Sequence, residues 1–346
     1  MGGAPALLDE GRNVLLKPNL LTDRTPDASV TTHPEVVRPL IRLFKSAGAN
    51  ITVADSPANV TNIEQVWDRT GFATLCREEN VELVNMEKAG VENVAAGAFS
   101  LPIAKPILDA DLLVSIPKVK THVLTTLTGA VKNLYGAIPG FRKAILHKER
   151  HLPREFAEVL AALYRVLKPR LSIADGIVGM DGDGPSNGTP YPLGLLLAST
   201  DAAALDMALC GLMGIPAKRV PYLAALRQSG DLQDDPSIVW IGDRVNAIRP
   251  AQLPRNLPLH LVPSLLVRAI SPFVWIRPMF GSSCLYCGRC VAACPAHALF
   301  QSNEALPTLR ASDCIACCCC HEVCPAKAVT MTPSRLLRLF VGGSVT

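Results

Sequence analysis

Six cysteines crowd into eleven positions near the C-terminal end of the chain: Cys314, Cys317, Cys318, Cys319, Cys320 and Cys324. Four of them, Cys314, Cys317, Cys320 and Cys324, follow C-x2-C-x2-C-x3-C-P. The same spacing occurs upstream at Cys284, Cys287, Cys290 and Cys294. Pro295 and Pro325 close the two runs and turn the chain away after the last cysteine. Of twelve cysteines, ten fall between 284 and 324, so this segment folds around whatever its thiols hold. Zinc sites use about four ligands, typically in two pairs. Disulfide frameworks belong to small secreted chains. Neither pattern matches eight cysteines in two matched triplet-plus-one runs.

The spacing is that of the bacterial two-cluster ferredoxins, in which the fourth cysteine of each run ligates the other cluster. It predicts two [4Fe–4S] clusters, one on Cys284, Cys287, Cys290 and Cys324, the other on Cys314, Cys317, Cys320 and Cys294. Cys318 and Cys319 are left over, at the positions that Gly288 and Arg289 hold in the first run. They read as packing against cluster sulfurs, with an alternative ligand or redox thiol as the other reading. Cys76 and Cys210 stand in apolar helix-like contexts and read as small buried hydrophobes.

At 346 residues, with 49% hydrophobic and 18% charged residues, the chain has room for one large domain and a small one. The expected division is an α/β domain over 1–250, an apolar Pro-rich linker over 251–280, a ferredoxin domain over 281–333 and a basic tail over 334–346. "MGGAPALLDEGR" has no basic n-region and no sufficient apolar run, so it does not read as a signal peptide. No uncharged run reaches the ~18 residues of a spanning helix. The nearest, residues 256–280, is broken by Arg268, Arg277 and prolines, and reads as linker. The expected location is cytoplasmic.

The net charge of +4 is unevenly spread. Between Pro117 and His151 stand seven Lys or Arg and one acid, Glu149, a window of +6. It lacks aromatic interleaving or a nucleic-acid motif. A small anionic substrate or cofactor fits it better, and nucleic acid is not expected.

Residues 13–250 alternate strand and helix signals. Strands are read at "NVLLKPN", "NITVADSP", "VELVNM", "ADLLVSIPKV", "LSIADGIVGM", "GLLLAST" and "IVWIG". Helices are read at "HPEVVRPLIRLFKSAG", with Val36, Leu40, Leu43 and Phe44 on one face, at 62–80, at "REFAEVLAALYRVLKP" and at "DAAALDMALCGLMG". This predicts an α/β fold with a mostly parallel sheet covered on both faces, and ligands beyond the strand ends. Lys17 and Asn19, Asp55, Lys118, Lys120 and His122, and Asp175 stand at four such ends. Neither a Walker A pattern nor G-x-G-x-x-G is present, so no Rossmann cofactor site is expected.

At "LLKPNLL", "TTHPEVV", "ADSP", "PKVKTH", "TGAVKNLYG" and "GMDGDGP" the chain resembles the DUF362 family of iron–sulfur-centre proteins. The resemblance covers about residues 11–245 plus the ferredoxin module; members usually carry a further strand and helix before the Lys-Pro-Asn strand. It implies functional positions at Lys17, Asn19, His33, Asp55, Lys118, Lys120, His122, Lys132, Asn133, His147 and Asp175. Lys118, Lys120 and His122, two apart on an extended segment, share a face. With Lys132 they form a cluster that can hold phosphate or carboxylate, and His122 or His147 is placed to move protons near neutral pH. Lys118, Lys120, His122, Lys132 and His147 are the candidate catalytic residues. Lys17, Asn19, Asp55, Asn133 and Asp175 are candidates for binding substrate or cofactor. Metal binding by His33, His122, His147 and Asp55 is a further reading, without short spacing to support it.

Three functions follow from these residues. One is a ferredoxin-type oxidoreductase that passes low-potential electrons to an anion in the basic pocket, fed by a redox partner protein. Another is an electron-transfer or cofactor-maturation accessory protein without turnover. The third is a regulatory sensor that uses cluster integrity as its signal.

Overall fold

Strand β1 (Asn13–Pro18) divides its side chains between two cores. Val14 and Leu16 enter one, Leu15 the other, and Lys17 continues on the side of Leu15. The computed structural model describes residues 3–9, 11–57, 62–150, 152–233, 237–243, 245, 248–254 and 275–334. Among them β1 is followed by β2 (Asn50–Asp55), β3 (Glu82–Asn85), β4 (Val91–Ala96), β5 (Phe99–Ala104), β6 (Leu112–Ile116), β7 (Lys118–His122), β8 (Thr126–Thr128), β9 (Leu171–Asp181), β10 (Thr189–Tyr191) and β11 (Leu195–Ser199). The helices are α1 (Gly3–Leu7), α2 (Pro34–Ser46), α3 (Ile63–Arg69), α4 (Phe72–Glu78), α5 (Lys105–Leu108), α6 (Ala130–Asn133), α7 (Phe141–Glu149), α8 (Pro153–Leu167), α9 (Ala202–Leu212) and α10 (Pro221–Gln228).

The main sheet runs β3-β2-β1-β6-β9-β7-β8, with β10 and β11 also on β9. β3–β2, β2–β1, β1–β6, β6–β9 and β9–β7 pair in parallel; β7–β8, β9–β10 and β9–β11 are antiparallel. The fold is thus α/β with a mostly parallel sheet. Residues of α1 to α4 fill the core on one face, and those of α6, α8, α9 and α10 the core on the other.

Several elements depart from the sequence reading. Helix 62–80 is two helices, because Gly71 adopts φ +80 between them. Helix α2 starts at His33, whose Nδ1 accepts from Glu35 N, and buries Val36, Val37, Ile41 and Phe44. The spacing Val37, Ile41, Phe44 is a true i, i+4, i+7 stripe, while Leu43 falls outside it and is 49% exposed. "IVWIG" is not a strand; Val239 and Ile241 are exposed, and both edges of β9 are already occupied. The β4–β5 hairpin went unread because "VENVAA" lacks a clean alternation.

A separate small core, built on Cys290, Leu299, Cys320, Cys324, Ala328 and Val329, holds the C-terminal module. There β12 (Ile276–Phe280) pairs with β15 (Val329–Pro333), and β13 (Leu299–Phe300) with β14 (Thr308–Leu309), all antiparallel. Two four-residue helices, Arg289–Ala292 and Cys319–Glu322, each begin at the end of the second spacer of a cysteine run and carry its third cysteine. Most of the expected linker (255–274) and nearly all of the expected tail (335–346) lie outside the described residues.

Candidate functional site at the module junction

Pro117 interrupts a line of extended chain and separates β6 from β7. In β7, Val119 belongs to the core, so Lys118, Lys120 and His122 share the opposite side, as their spacing predicts. All three are at least 98% buried, and each finds a different partner. Lys118 Nζ lies 2.9 Å from Asp175 Oδ2, its cross-strand neighbour on β9. The same carboxylate oxygen accepts from His33 N at 2.9 Å.

Lys17 forms a second brace. Its Nζ lies 2.7 Å from Asp55 Oδ1 and donates to Asn133 Oδ1 and Pro18 O, each at 3.3 Å. Asp55 Oδ2 accepts from Leu20 N at 2.7 Å, and Asn133 Nδ2 donates to Lys17 O and Ser115 Oγ. Burial lowers the Lys17 pKa, opposed by Asp55. A β-carbon at Gly136 would stand 2.2 Å from Asp55 Oδ1 and 2.6 Å from Lys17 Nζ, so "KNLYG" requires glycine there. The sequence placed Lys17, Asp55, Asn133, Lys118 and Asp175 in a ligand site. Their geometry is that of ion pairs with partners already in hand, which position the strand ends. Asn19 stands beside them, its N bonded to Thr32 Oγ1 and its buried Oδ1 without a partner.

The remaining cations face the C-terminal module. Lys120 Nζ donates to Val30 O at 2.6 Å and meets no carboxylate. Burial, then the charge of Lys132, pushes its pKa well below the usual lysine range. His122 Nδ1 accepts from Leu124 N at 3.0 Å and Thr125 N at 3.3 Å, so the ring proton sits on Nε2. Nε2 points at Glu322 Oε1, 3.4 Å away, a carboxylate supplied by the helix of the second cysteine run. Burial and Lys132 push the His122 pKa down to about 3. Burial opposes charge on Glu322 as well, but His122 and Lys132 hold its pKa at about 2. Among the described residues no hydrogen bond or ion pair reaches the Lys132 ammonium; Glu322 and Cys319 act on it only through charge.

His147 does not join the cluster by contact. Its ring stacks on Phe156 at 4.4 Å and meets Tyr135 edge-on at 5.3 Å, with Nδ1 buried and unpartnered. Burial pushes its pKa to about 4. Burial thus favours the neutral form of both rings. Lys143, which the sequence reading passed over, donates to Ser56 Oγ at 2.9 Å and Pro57 O at 2.6 Å; burial lowers its pKa to about 8. Glu322 was missed too, because its motif spacing speaks only of cysteines.

The module is clasped onto this face by polar contacts. Arg24 Nη2 donates to Cys324 O at 2.6 Å, and Arg289 pairs with Asp23 at 3.0 Å. The "GMDGDGPSNG" loop holds the second run: His321 Nε2 lies 3.2 Å from Asp183 O, Asn187 Nδ2 donates to His321 O, and Lys327 Nζ donates to Gly188 O. Thr121 Oγ1 donates to Gly182 O at 2.7 Å, tying the same loop to β7.

Within the module the two runs repeat one backbone. Positive φ recurs at Tyr286 and Ala316, at Gly288 and Cys318, and at His297 and Lys327. Ala298 N donates to Cys294 Sγ and Ala328 N to Cys324 Sγ, both at 3.2 Å. Cys284, Cys287, Cys290 and Cys324 line one small cavity, with Phe280, Leu285 and Pro307 among its walls. Cys294 and Cys317 act electrostatically on Cys314. Cys318 Sγ contacts Ala316 O at 3.5 Å and is pushed well up by burial; Cys319 Sγ lies 4.0 Å from Cys317 O. Among the described residues no three His, Cys, Asp or Glu side chains close on a single-ion position. The reading of His33, His122, His147 and Asp55 as a metal site fails on this ground, since His33 caps α2 and Asp55 holds Lys17.

No helix among the described residues is long and apolar enough to cross a membrane. Residues 281–300 match the model of the 4Fe-4S binding domain, so the chain is an iron–sulfur protein with a ferredoxin module. The thylakoid-associated protein sll1697 of Synechocystis sp. is 34% identical over 231 residues, 66% of this chain and 72% of that protein. The lactate racemase apoprotein from Thermoanaerobacterium thermosaccharolyticum shows a TM-score of 0.45 at 15% identity, covering 61% of this chain and about half (51%) of that one. Residues 14–211, which carry β1, both braces and the Lys118–His122 strand, match the Domain of unknown function (DUF362), and the chain belongs to that family.

Proposed function

We propose that this chain is a two-[4Fe–4S] protein that works as a ferredoxin-type reductase on a small anionic substrate or cofactor, held at the junction of its two modules. The observation that carries the reading is the docking of the second cysteine run, through Glu322, on the buried basic strand Lys118–His122. The residues fit the clusters by donor chemistry and by packing. Cys284, Cys287, Cys290 and Cys324 share a cavity across the two runs, which supports the crossed assignment. Cys314, Cys317, Cys320 and Cys294 form the second set, supported by the repeated backbone. Bound clusters supply single electrons at potentials that the surrounding residues tune.

The chain's own residues do the rest. Lys120 and Lys132 offer positive charge without a carboxylate in direct contact, and His122 offers a fixed Nε2–H. The two braces hold these groups in place: breaking a buried pair by removing one partner costs about 3–5 kcal/mol. Electrons arrive from a redox partner protein, and the cytoplasm is the compartment we assign. A second reading, an accessory protein without turnover, is favoured by one observation: His122 and His147, the groups that would move protons, are both buried.

Anaerobic reconstitution should give about eight iron and eight sulfide per chain. Phosphate should raise the melting temperature of the reconstituted protein beyond potassium chloride at equal ionic strength. Lys120→Ala should lose that specific gain and keep the cluster spectrum. Equal stabilisation by chloride and phosphate, or an unchanged response in Lys120→Ala, would refute the pocket and leave the accessory reading.

A further inference from the structure

The buried lysines, and the half-buried Lys132, are unequally matched. Lys17 and Lys118 each have an aspartate within 3 Å. Lys120 and Lys143 have carbonyl and hydroxyl oxygens instead. Lys132 has no direct partner among the described residues. The acid that the other module brings to Lys120 and Lys132 is Glu322, whose side chain is only 13% exposed. Its one described contact is His122 Nε2 at 3.4 Å. That is long beside the 2.7–2.9 Å of a charge-assisted hydrogen bond, and a carboxylate has about four acceptor sites to satisfy. Glu322 is thus in the right place with the wrong reach. It brings negative charge to Lys132 and His122 without gripping either.

We infer that Glu322 is an internal stand-in for the ligand: it occupies the oxyanion position of the junction, and a substrate carboxylate or phosphate binds by displacing it. This rests on the anion pocket proposed above and adds the competitor to it. An incoming anion that reaches Lys120, Lys132 and the His122 Nε2–H meets the Glu322 charge in the same largely buried space. Two like charges cannot share such a site cheaply. Either Glu322 swings aside or the anion stays out. The site therefore selects ligands that outbid a single carboxylate. Glu322 also lies between Cys320 and Cys324, so its displacement is felt by the segment that carries ligands of both proposed clusters.

The test uses the full reconstituted chain under anaerobic conditions, with melting temperature followed against phosphate and, separately, against acetate, each matched with potassium chloride. Glu322→Gln keeps shape and an acceptor for His122 while removing the charge. Its half-saturating phosphate concentration should be roughly tenfold lower than that of the wild type, within the usual range of site–site coupling. Glu322→Asp, which keeps the charge but draws it back by one methylene, should fall between the two. It decides the question if Glu322→Gln does not retain the cluster spectrum. A larger gain with phosphate than with acetate identifies a phosphate ligand, and the reverse a carboxylate; either supports displacement if the Gln variant gains. Identical titrations for wild type and both variants overturn the inference and leave the pocket standing. Weaker binding in Glu322→Gln overturns it too, since Glu322 would then help to hold the ligand. No response beyond chloride in any of the three proteins removes the pocket reading itself.

Discussion

His122 and His147 began as equivalent candidates and end in different places. Backbone donors on Nδ1 fix the proton of His122 on Nε2, so it works as a hydrogen-bond donor of set direction. His147 is a stacked ring among Tyr135 and Phe156. Its folded pKa of about 4 lies below the ordinary value of 6.5. Between those values the unfolded chain binds a proton that the folded chain does not, so stability falls as pH drops from 6.5 to 4. The full cost, reached below that window, is on the order of 3 kcal/mol. His147→Phe should therefore show a shallower loss of melting temperature across pH 6.5 to 4 while keeping the phosphate response. An unchanged pH slope would place the sensitivity elsewhere. The face shared by Lys118, Lys120 and His122 was legible in the sequence because strand periodicity is two. The identity of their partners was not: Asp175 lies across a strand pairing whose register shifts by a bulge, and Glu322 lies in another module.

At the scale of the element, the two cysteine runs are one backbone used twice, and their difference is informative. Gly288 takes φ 70 in the first run, where glycine meets no steric penalty. Cys318 takes φ 64 at the same place in the second, a conformation that costs a side-chain-bearing residue about 1–2 kcal/mol. Cys318→Gly should relieve that strain, raising stability by up to about 1 kcal/mol after the entropy gained by the unfolded chain is deducted. Iron content should stay near that of the parent, and a loss of about four iron would make Cys318 a ligand. The likeness of the two runs was fully legible, since equal spacing gives equal local turns. The division of helix 62–80 was legible only in hindsight, through Gly71. "IVWIG" misled because a short apolar run does not by itself fix a strand, and here Val239 and Ile241 are exposed.

For the whole molecule, the cores settle what should fold alone. Among the described residues, the two large cores contain only residues up to Leu253, and the small one only residues of the C-terminal module. Ile248, Ala251 and Leu253 pack on the large core, Gly182 N donates to Gln252 O, and Ala251 N donates to Met213 O. The chain that packs on the large core thus runs at least to Leu253, a few residues beyond the 250 read from the sequence. A chain ending at 254 should melt cooperatively; a dye-binding product without a transition would mean that the module completes the core. The α/β alternation, the covered sheet and the two-module plan were legible, since they follow from periodicity and composition. The docking of one module on the other was not, because the residues that make it are single polar side chains scattered through Asp23, Arg24, Asp183, Asn187 and His321.

Those same side chains give the joint between modules a character of its own. Among the described residues none of the three apolar cores crosses it; it is made of guanidinium, ammonium, imidazole, amide, carboxylate and carbonyl groups. Oily interfaces weaken in the cold, whereas this one is held by donors and acceptors that a charged solvent reaches only at its rim. Salt then loosens the grip of the cysteine-bearing half mainly at the Arg289–Asp23 pair, while the donors to carbonyl oxygens hold.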